Sequence, residues 1–247
     1  MRTVPERAFG RNPPRGPSRP AETHNLLRAE VFSGEQLWRH ARALAGLHRI
    51  DQRRAPNRLL ARLAENEQIL VQTHDLLIAA EAEGWRMTPA GEWLLDNFYL
   101  IEQQVRMARR HLPRTYNRQL PRLTTGPSSG FPRVYDIALE LIAHSDGRLD
   151  AQSLALFVTS YQSTSPLTLG ELWAVPIMLR LALIENMRRV AEDIAQRRRE
   201  REAARQWADR LLEAAEKGPT EVLQDLAAMA RADPPFTNPF REGTDVR

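Results

Sequence analysis

The sequence predicts an all-α protein: an irregular multi-helix bundle with one long charged helix and disordered termini. Apolar residues recur at the three- and four-residue spacing of a helix face along most of the chain. The stretches begin with typical capping residues, and the alternating pattern of strands is missing. We therefore expect a disordered basic tail at residues 1–22, a helical domain at 23–231 with a loop at 113–131, and a second disordered tail at 232–247.

The first two helices are predicted from their start and stop signals. Ser33, followed by Gln36 three residues later, forms the pattern of a capping box for a helix that ends near His48. A second, longer helix is expected within residues 55–84, where Gly84 suits the left-handed conformation that ends many helices. One face of this helix carries four leucines: Leu59, Leu63, Leu70 and Leu77.

A third helix is predicted to begin at Thr88, because Thr is a good cap and Pro89 fits the first turn, where its missing N–H costs nothing. Pro113 ends this helix and opens a loop rich in Pro, Gly, Ser and Thr. The spacing of 4, 3, 4, 3 and 4 residues predicts one buried stripe along the helix: Leu94, Phe98, Ile101, Val105, Ala108 and Leu112.

Helical pattern resumes over residues 132–144, and Asp150 is expected to cap the next helix. Its predicted core stripe is Leu154, Phe157, Val158 and Tyr161. A short turn over residues 145–149 joins the two helices.

The clearest capping box is formed by Thr168 and Glu171. The helix that follows is apolar on nearly all sides as far as Ile184, so we expect it to be the buried centre of the domain, kinked at Pro176. Beyond this point it becomes strongly charged and is expected to extend to Lys217.

A last short helix is predicted over residues 221–231, with Thr220 as its cap. Pro219 precedes this cap.

Composition excludes several classes of site. The chain has no cysteine, which rules out disulfides, cysteine-ligated metal centres and thiol nucleophiles and favours a cytoplasmic location. Residues 1–20 hold five arginines against Glu6, which accounts for the whole formal charge of +4. The body is therefore neutral, and nucleic-acid binding is not expected. Only eight uncharged residues separate Glu171 from Arg180 in the most apolar stretch, so no transmembrane segment is predicted.

No complete catalytic, cofactor-binding or metal-binding set is predicted. Residues 126–130 match the G-x-S-x-G pattern of a nucleophile elbow, but the strand that must precede an elbow is missing, which favours a flexible loop. The six histidines show no i,i+4 pair and no H-E-x-x-H motif, so a zinc site would need ligands from distant parts of the chain. Glu171 and Glu185 could form an acid–base pair, but capping already explains the first, and nothing supports the second.

One basic segment departs from the neutral body. Seven arginines between Arg106 and Arg133 occur without an acidic residue among them. Forked guanidinium groups could hold a phosphate or lipid headgroup, a nucleotide-sugar or an acidic surface of another domain, although pairing with acids elsewhere in the neutral body is the favoured interpretation. The candidate anion or partner surface consists of Arg109, Arg110, Arg114, Tyr116, Arg118, Arg122 and Arg133.

Several long strings resemble the N-terminal region of cyclic β-1,2-glucan synthases. The resemblance extends over about residues 25–195 and is carried most clearly by residues 93–104, 143–148, 166–174 and 183–189. Members of that family are very large inner-membrane proteins. In them a processive glucosyltransferase uses UDP-glucose, transmembrane helices follow the N-terminal region, and a phosphorylase-like module trims the glucan.

The resemblance implies that this chain is an N-terminal cytosolic helical domain, a fragment with a structural or assembly role and no catalysis alone. It would pack against the transferase or membrane domains of the parent synthase on the cytosolic face of the inner membrane. UDP-glucose and a divalent metal are implied for the parent and no cofactor for this chain. The alternative is a free-standing helical adaptor that binds an anionic partner through its basic loop. Residues 234–240 depart from the family pattern.

Overall fold

The computed structural model confirms an all-α protein and describes residues 32–51, 53, 58–112, 119–145 and 149–232. Both predicted tails lie outside these residues, except that Ala232 is the last residue of a helix. The described residues contain the helices α1 (Gly34–Leu47), α2 (Leu59–Ala82), α3 (Pro89–Asp96), α4 (Phe98–Arg110), α5 (Arg133–His144), α6 (Ala151–Gln162), α7 (Leu169–Lys217) and α8 (Pro219–Ala232).

The predicted caps start four of these helices. Ser33 accepts the backbone N–H of Gln36, and the Gln36 side chain accepts the backbone N–H of Ser33, which completes the capping box of α1. Thr88 and Asp150 cap α3 and α6 through their side-chain oxygens. Thr168 forms a second complete capping box at the start of α7. Local sequence therefore decides where these helices begin.

The central element is α7, the predicted long helix with a buried first half and a charged second half. Helices α2 and α5 pack along it, α3, α4 and α8 make further contacts, and α1 packs mainly on α6. The buried positions of its first half confirm the expected core role: Ala174, Met178, Leu179, Leu181, Ala182 and Ile184.

The predicted core stripes are largely confirmed. All four leucines of the α2 face are buried, and so are all six residues of the stripe from Leu94 to Leu112. On α6, Phe157 and Tyr161 are fully buried, whereas Leu154 and Val158 are partly buried. These faces meet in one continuous hydrophobic core.

The predicted third helix is in fact two helices, α3 and α4, separated at Asn97. The backbone of Asn97 leaves the helical region, with φ of −111° and ψ of 11°. Its side-chain amide donates to the carbonyl oxygen of Trp93 at 2.9 Å, and its backbone N–H donates to the same oxygen at 3.1 Å. Asn readily competes with the helix for backbone groups in this way, and the buried stripe continues across the break.

The expectation that strands are missing is wrong for two very short segments. Strand β1 (Ile50–Asp51) pairs antiparallel with β2 (Arg122–Leu123), which belongs to the predicted loop. Gly130, with φ of 85°, closes the turn after β2 by donating its backbone N–H to Leu123. Two-residue strands are too short to show an alternating pattern, so no local signal predicts them.

The last helix begins earlier than expected. Helix α7 ends at Lys217 and is capped by Gly218, whose φ of 142° suits glycine, and α8 starts directly at Pro219. Thr220 is therefore a first-turn residue and not the cap. Proline is favoured at this position because it needs no hydrogen-bond partner there.

Two carboxylates of α7 are buried in ion pairs with neighbouring helices. Glu185, which is 2% exposed, accepts hydrogen bonds from Arg62 Nε at 2.9 Å and Asn66 Nδ2 at 2.7 Å, both on α2. Arg188 adds a further bond at 2.9 Å. Burial raises the pKa of Glu185, but the hydrogen bonds and charge of the arginines outweigh burial and keep this pKa below its usual value. Glu185 is therefore a charged structural link between α7 and α2.

Substitution Glu185→Gln should lower the free energy of unfolding by about 3 kcal/mol, because two guanidinium groups would lose their shared buried counter-charge. Urea denaturation followed by circular dichroism measures this. The matched control is Glu102→Gln, which removes an exposed carboxylate paired with Arg106 at 3.4 Å and should cost less than about 1 kcal/mol. Equal losses in the two variants would contradict a structural role for the buried pair.

Candidate functional site

The structure separates the arginines of the predicted basic surface. Arg109 lies on α4 and pairs with Glu67 of α2, while Arg110 lies exposed in the last turn of α4. The predicted members Arg114, Tyr116 and Arg118 lie outside the described residues. The candidate surface around them stays a prediction.

Arg122 and Arg133 are buried, at 4% and 2% exposed, and contact other parts of the chain. Arg122 Nη1 donates to the carbonyl oxygen of Gly130 at 2.9 Å. Arg133 Nη2 donates to Glu171 Oε2 and to the carbonyl oxygen of Pro166, each at 2.8 Å. These two guanidinium groups hold the loop and the start of α7 in place and do not face solvent.

The charge environments of these two arginines are opposite. Burial lowers the pKa of Arg133, but its hydrogen bond to Glu171 and the charge of that carboxylate outweigh burial and raise the pKa above the usual value. For Arg122, burial and the positive charge of Arg58 both lower the pKa. Glu171 and Glu185 are each held in an internal ion pair. They are therefore not placed as the acid–base pair considered from sequence.

Ser128 of the G-x-S-x-G pattern lies in a hydrogen-bonded chain of four side chains. Its hydroxyl donates to Asp136, whose other carboxylate oxygen is 3.0 Å from His48 Nε2. His48 Nδ1 is 2.8 Å from the hydroxyl oxygen of Tyr161. Because the carboxylate lies between the serine and the imidazole, His48 is not placed to remove the proton of Ser128 as a general base would.

A second polar cluster lies one helix turn away, where α1 faces α5. His40 Nε2 is 2.8 Å from Glu140 Oε2, and His144 Nε2 is 3.5 Å from the same oxygen. We call these three residues the His–Glu–His cluster. The cluster was not predicted because His40 and His144 are far apart in the chain, although the i,i+4 spacing of Glu140 and His144 was a usable signal.

Burial raises the pKa of Glu140, but hydrogen bonds from His144 and His40 outweigh burial and lower the pKa to about 2. Glu140 also borders a cavity of about 370 Å³ that extends to Asp136 and Ser128. The two polar clusters therefore line one side of the interface between α1 and α5.

An apolar groove lies on the side of α7 that faces α3 and α4. We call it the α4–α7 groove; it has a volume of about 400 Å³. Trp93 is 49% exposed and Leu183 is 38% exposed, although both are large apolar side chains. The groove is lined by Trp93, Leu100, Ile101, Gln104, Pro176, Leu179, Arg180, Leu183, Ile184 and Met187.

The apolar surface extends along α7 beyond the groove. Trp173 is 73% exposed and precedes Pro176 by three residues, so the two lie on the same side of the helix. A contiguous apolar surface of this kind is typical of a docking site, because single exposed apolar residues are common but clusters are not. The candidate functional site is therefore an interaction surface.

Comparison with known proteins identifies one relevant relative. No family model matches the chain. Over 157 residues, however, it is 36% identical to the cyclic β-(1,2)-glucan synthase NdvB of Rhizobium meliloti strain 1021. This chain is related to that synthase. The resemblance inferred from the sequence is thus confirmed.

The match covers 64% of this chain and 6% of NdvB, so the chain spans a small part of the relative's length. No helix among the described residues is long and apolar enough to cross a membrane. The α4–α7 groove is lined by residues from two of the stretches that carry the resemblance to the synthases, 93–104 and 183–189. Its other lining residues are Pro176, Leu179 and Arg180 of α7.

The low pKa of Glu140 predicts a pH-dependent contribution to stability. Its carboxylate has a pKa of about 2 in the folded protein and about 4.3 in an unfolded chain. Its contribution is therefore fully present above about pH 4.3 and is lost as pH falls toward 2. Glu140→Gln should lower the free energy of unfolding by about 2 kcal/mol at pH 6. This gap in the free energy of unfolding between the variant and the unsubstituted protein should narrow below pH 4.

Urea titrations from pH 6 to pH 3 measure this gap. Asp75→Asn is the control, because Asp75 is an exposed carboxylate 3.7 Å from a histidine, His74, and should contribute less than about 0.5 kcal/mol. A gap for Glu140→Gln that stays constant across this pH range would contradict the prediction.

Proposed function

We propose that this chain is the N-terminal cytosolic helical region of a cyclic β-1,2-glucan synthase and that its role is structural: it docks onto the remainder of the synthase. The similarity to NdvB supports a place in cyclic β-1,2-glucan synthesis, and the α4–α7 groove supports the docking role. The transferase and membrane domains of the parent are the proposed partners. The chain itself carries out no catalysis.

The groove has the chemistry of a helix-binding surface. Its walls are formed by three helices, α3, α4 and α7, and burying one exposed Trp or Leu side chain contributes roughly 1.5–3 kcal/mol. Arg180 is one of the lining residues, so an acidic residue on the partner would complement it. The proposed occupant is therefore an apolar helix of the parent synthase that carries an acidic residue at one edge.

In this proposal UDP-glucose and a divalent metal are bound by the parent's transferase domain, and the docked assembly lies on the cytosolic face of the inner membrane. The described part of the chain supports this division of labour, since Glu171 and Glu185 are held in internal ion pairs and Ser128 contacts a carboxylate.

A chimaera tests the docking role. This chain would replace the matching stretch of NdvB, with glucan synthesis measured in membranes from UDP-glucose. The double substitution Leu100→Asp and Leu183→Asp should lower glucan synthesis at least tenfold, because two carboxylates would be placed in an apolar contact. Binding is thus impaired without touching any catalytic group.

The matched control is Ile78→Asp, which alters an apolar side chain of α2 that is 47% exposed and lies outside the groove. It should leave glucan synthesis within about twofold of the unsubstituted chimaera. Circular dichroism of the isolated chain with both groove substitutions checks that the domain still folds. A folded double variant with full synthesis in the chimaera would contradict docking through this groove.

The isolated chain should form no glucan when it is incubated with radiolabelled UDP-glucose and Mg²⁺ or Mn²⁺. The reason is that the groups proposed to bind UDP-glucose and the metal used in the transfer lie in the parent's transferase domain. Thin-layer chromatography of the products measures this. Labelled glucan made by the purified chain would overturn the structural role.

A further inference from the structure

We propose that the His–Glu–His cluster binds one divalent transition-metal ion, with Zn²⁺ as the best-fitting ion, and that the ion joins α1 to α5. His40 supplies one ligand from α1, and Glu140 and His144 supply two ligands from adjacent turns of α5. This inference does not depend on the proposed function, because it rests only on three side chains of this chain.

The distances suit a single ion. All three donor atoms lie within 4.8 Å of one another. Glu140 Oε2 is 2.8 Å from His40 Nε2 and 3.5 Å from His144 Nε2. Bonds of about 2.0–2.1 Å place two ligand atoms of a tetrahedral ion about 3.4 Å apart. Small side-chain rotations therefore suffice to bring the three atoms around one ion, with no change in the positions of the helices.

The donor set favours zinc and related ions over magnesium or calcium. Two imidazole nitrogens with one carboxylate oxygen suit Zn²⁺, Co²⁺ or Ni²⁺, whereas Mg²⁺ and Ca²⁺ prefer oxygen ligands alone. Both histidines direct Nε2 toward Glu140, so both can offer the same nitrogen in the neutral form. Three protein ligands leave one tetrahedral position for water.

The surroundings hold two of the ligands in position. The ring of Phe32 stacks on His144 with centroids 3.8 Å apart, and Phe157 lies 6.1 Å from the ring of His40. These aromatic neighbours restrict the rotation of the imidazoles and lower the local dielectric. The side chains of His40 and Glu140 are nevertheless 26% and 24% exposed, so solvent and an ion can reach the cluster.

The alternative is a cluster without an ion, in which the Glu140 carboxylate accepts hydrogen bonds from both imidazoles. The two cases differ in their response to metal and to pH. A metal site releases protons on binding and loses affinity as its histidines become protonated, whereas a hydrogen-bonded cluster gains nothing from added metal.

Isothermal titration calorimetry of the full chain with Zn²⁺, in competition with a chelator of known affinity, tests the site. We expect one ion per chain, an affinity that falls between pH 7.5 and 5.5, and a rise in melting temperature with added Zn²⁺. His40→Asn and His144→Asn should each weaken binding at least tenfold. Co²⁺ should give a visible absorption spectrum that both substitutions remove.

The matched control is His74→Asn, which removes a histidine on α2 that stacks on Phe98 with centroids 4.0 Å apart. Its affinity for Zn²⁺ should equal that of the unsubstituted chain. Glu140→Gln keeps the shape of the side chain and should also weaken binding, so it decides the question if a histidine variant fails to fold. Equal affinity in the unsubstituted chain, the folded cluster variants and the control would overturn the proposal.

Discussion

The fold depends on the neutralisation of two carboxylates that α7 carries into the core. Glu185 is held by Arg62 of α2, and Glu171 is held by Arg133 of α5. Since the two acids are fourteen residues apart, nearly four helical turns, they lie on similar sides of α7. A buried carboxylate without its partner is strongly destabilising. These ion pairs therefore fix how two different helices are placed along the central one, which apolar packing alone specifies less sharply.

The starts of the helices could be predicted because caps are local. Ser33 with Gln36 and Thr168 with Glu171 are four-residue patterns whose hydrogen bonds form within the same four residues. The break at Asn97 was missed because the apolar stripe continues through it. The paired strands were missed because each has two residues, so only their partner across the chain defines them.

The candidate sites were harder to predict because they are tertiary. The basic segment was visible in the sequence, but only the fold separates Arg133, which faces a buried glutamate, from Arg109, which lies exposed on α4 and pairs with Glu67 of α2. His40 and His144 come together because α1 packs against α5, and no local pattern records that contact. The groove illustrates a related limit: an all-round apolar helix predicts burial, yet one side of α7 lacks a covering helix among the described residues.

The length of α7 has a mechanical consequence. At about 1.5 Å per residue, its 49 residues form a rod of roughly 74 Å, about two and a half times the diameter of a small domain. Leu183 in the groove and Ala214, buried near α8, are some 45 Å apart along an uninterrupted stretch of this rod. A rod of this kind transmits tilt and axial rotation between its ends. A partner that shifts α7 at the groove therefore also shifts the distant surface formed with α8, which makes the helix a lever as well as a support.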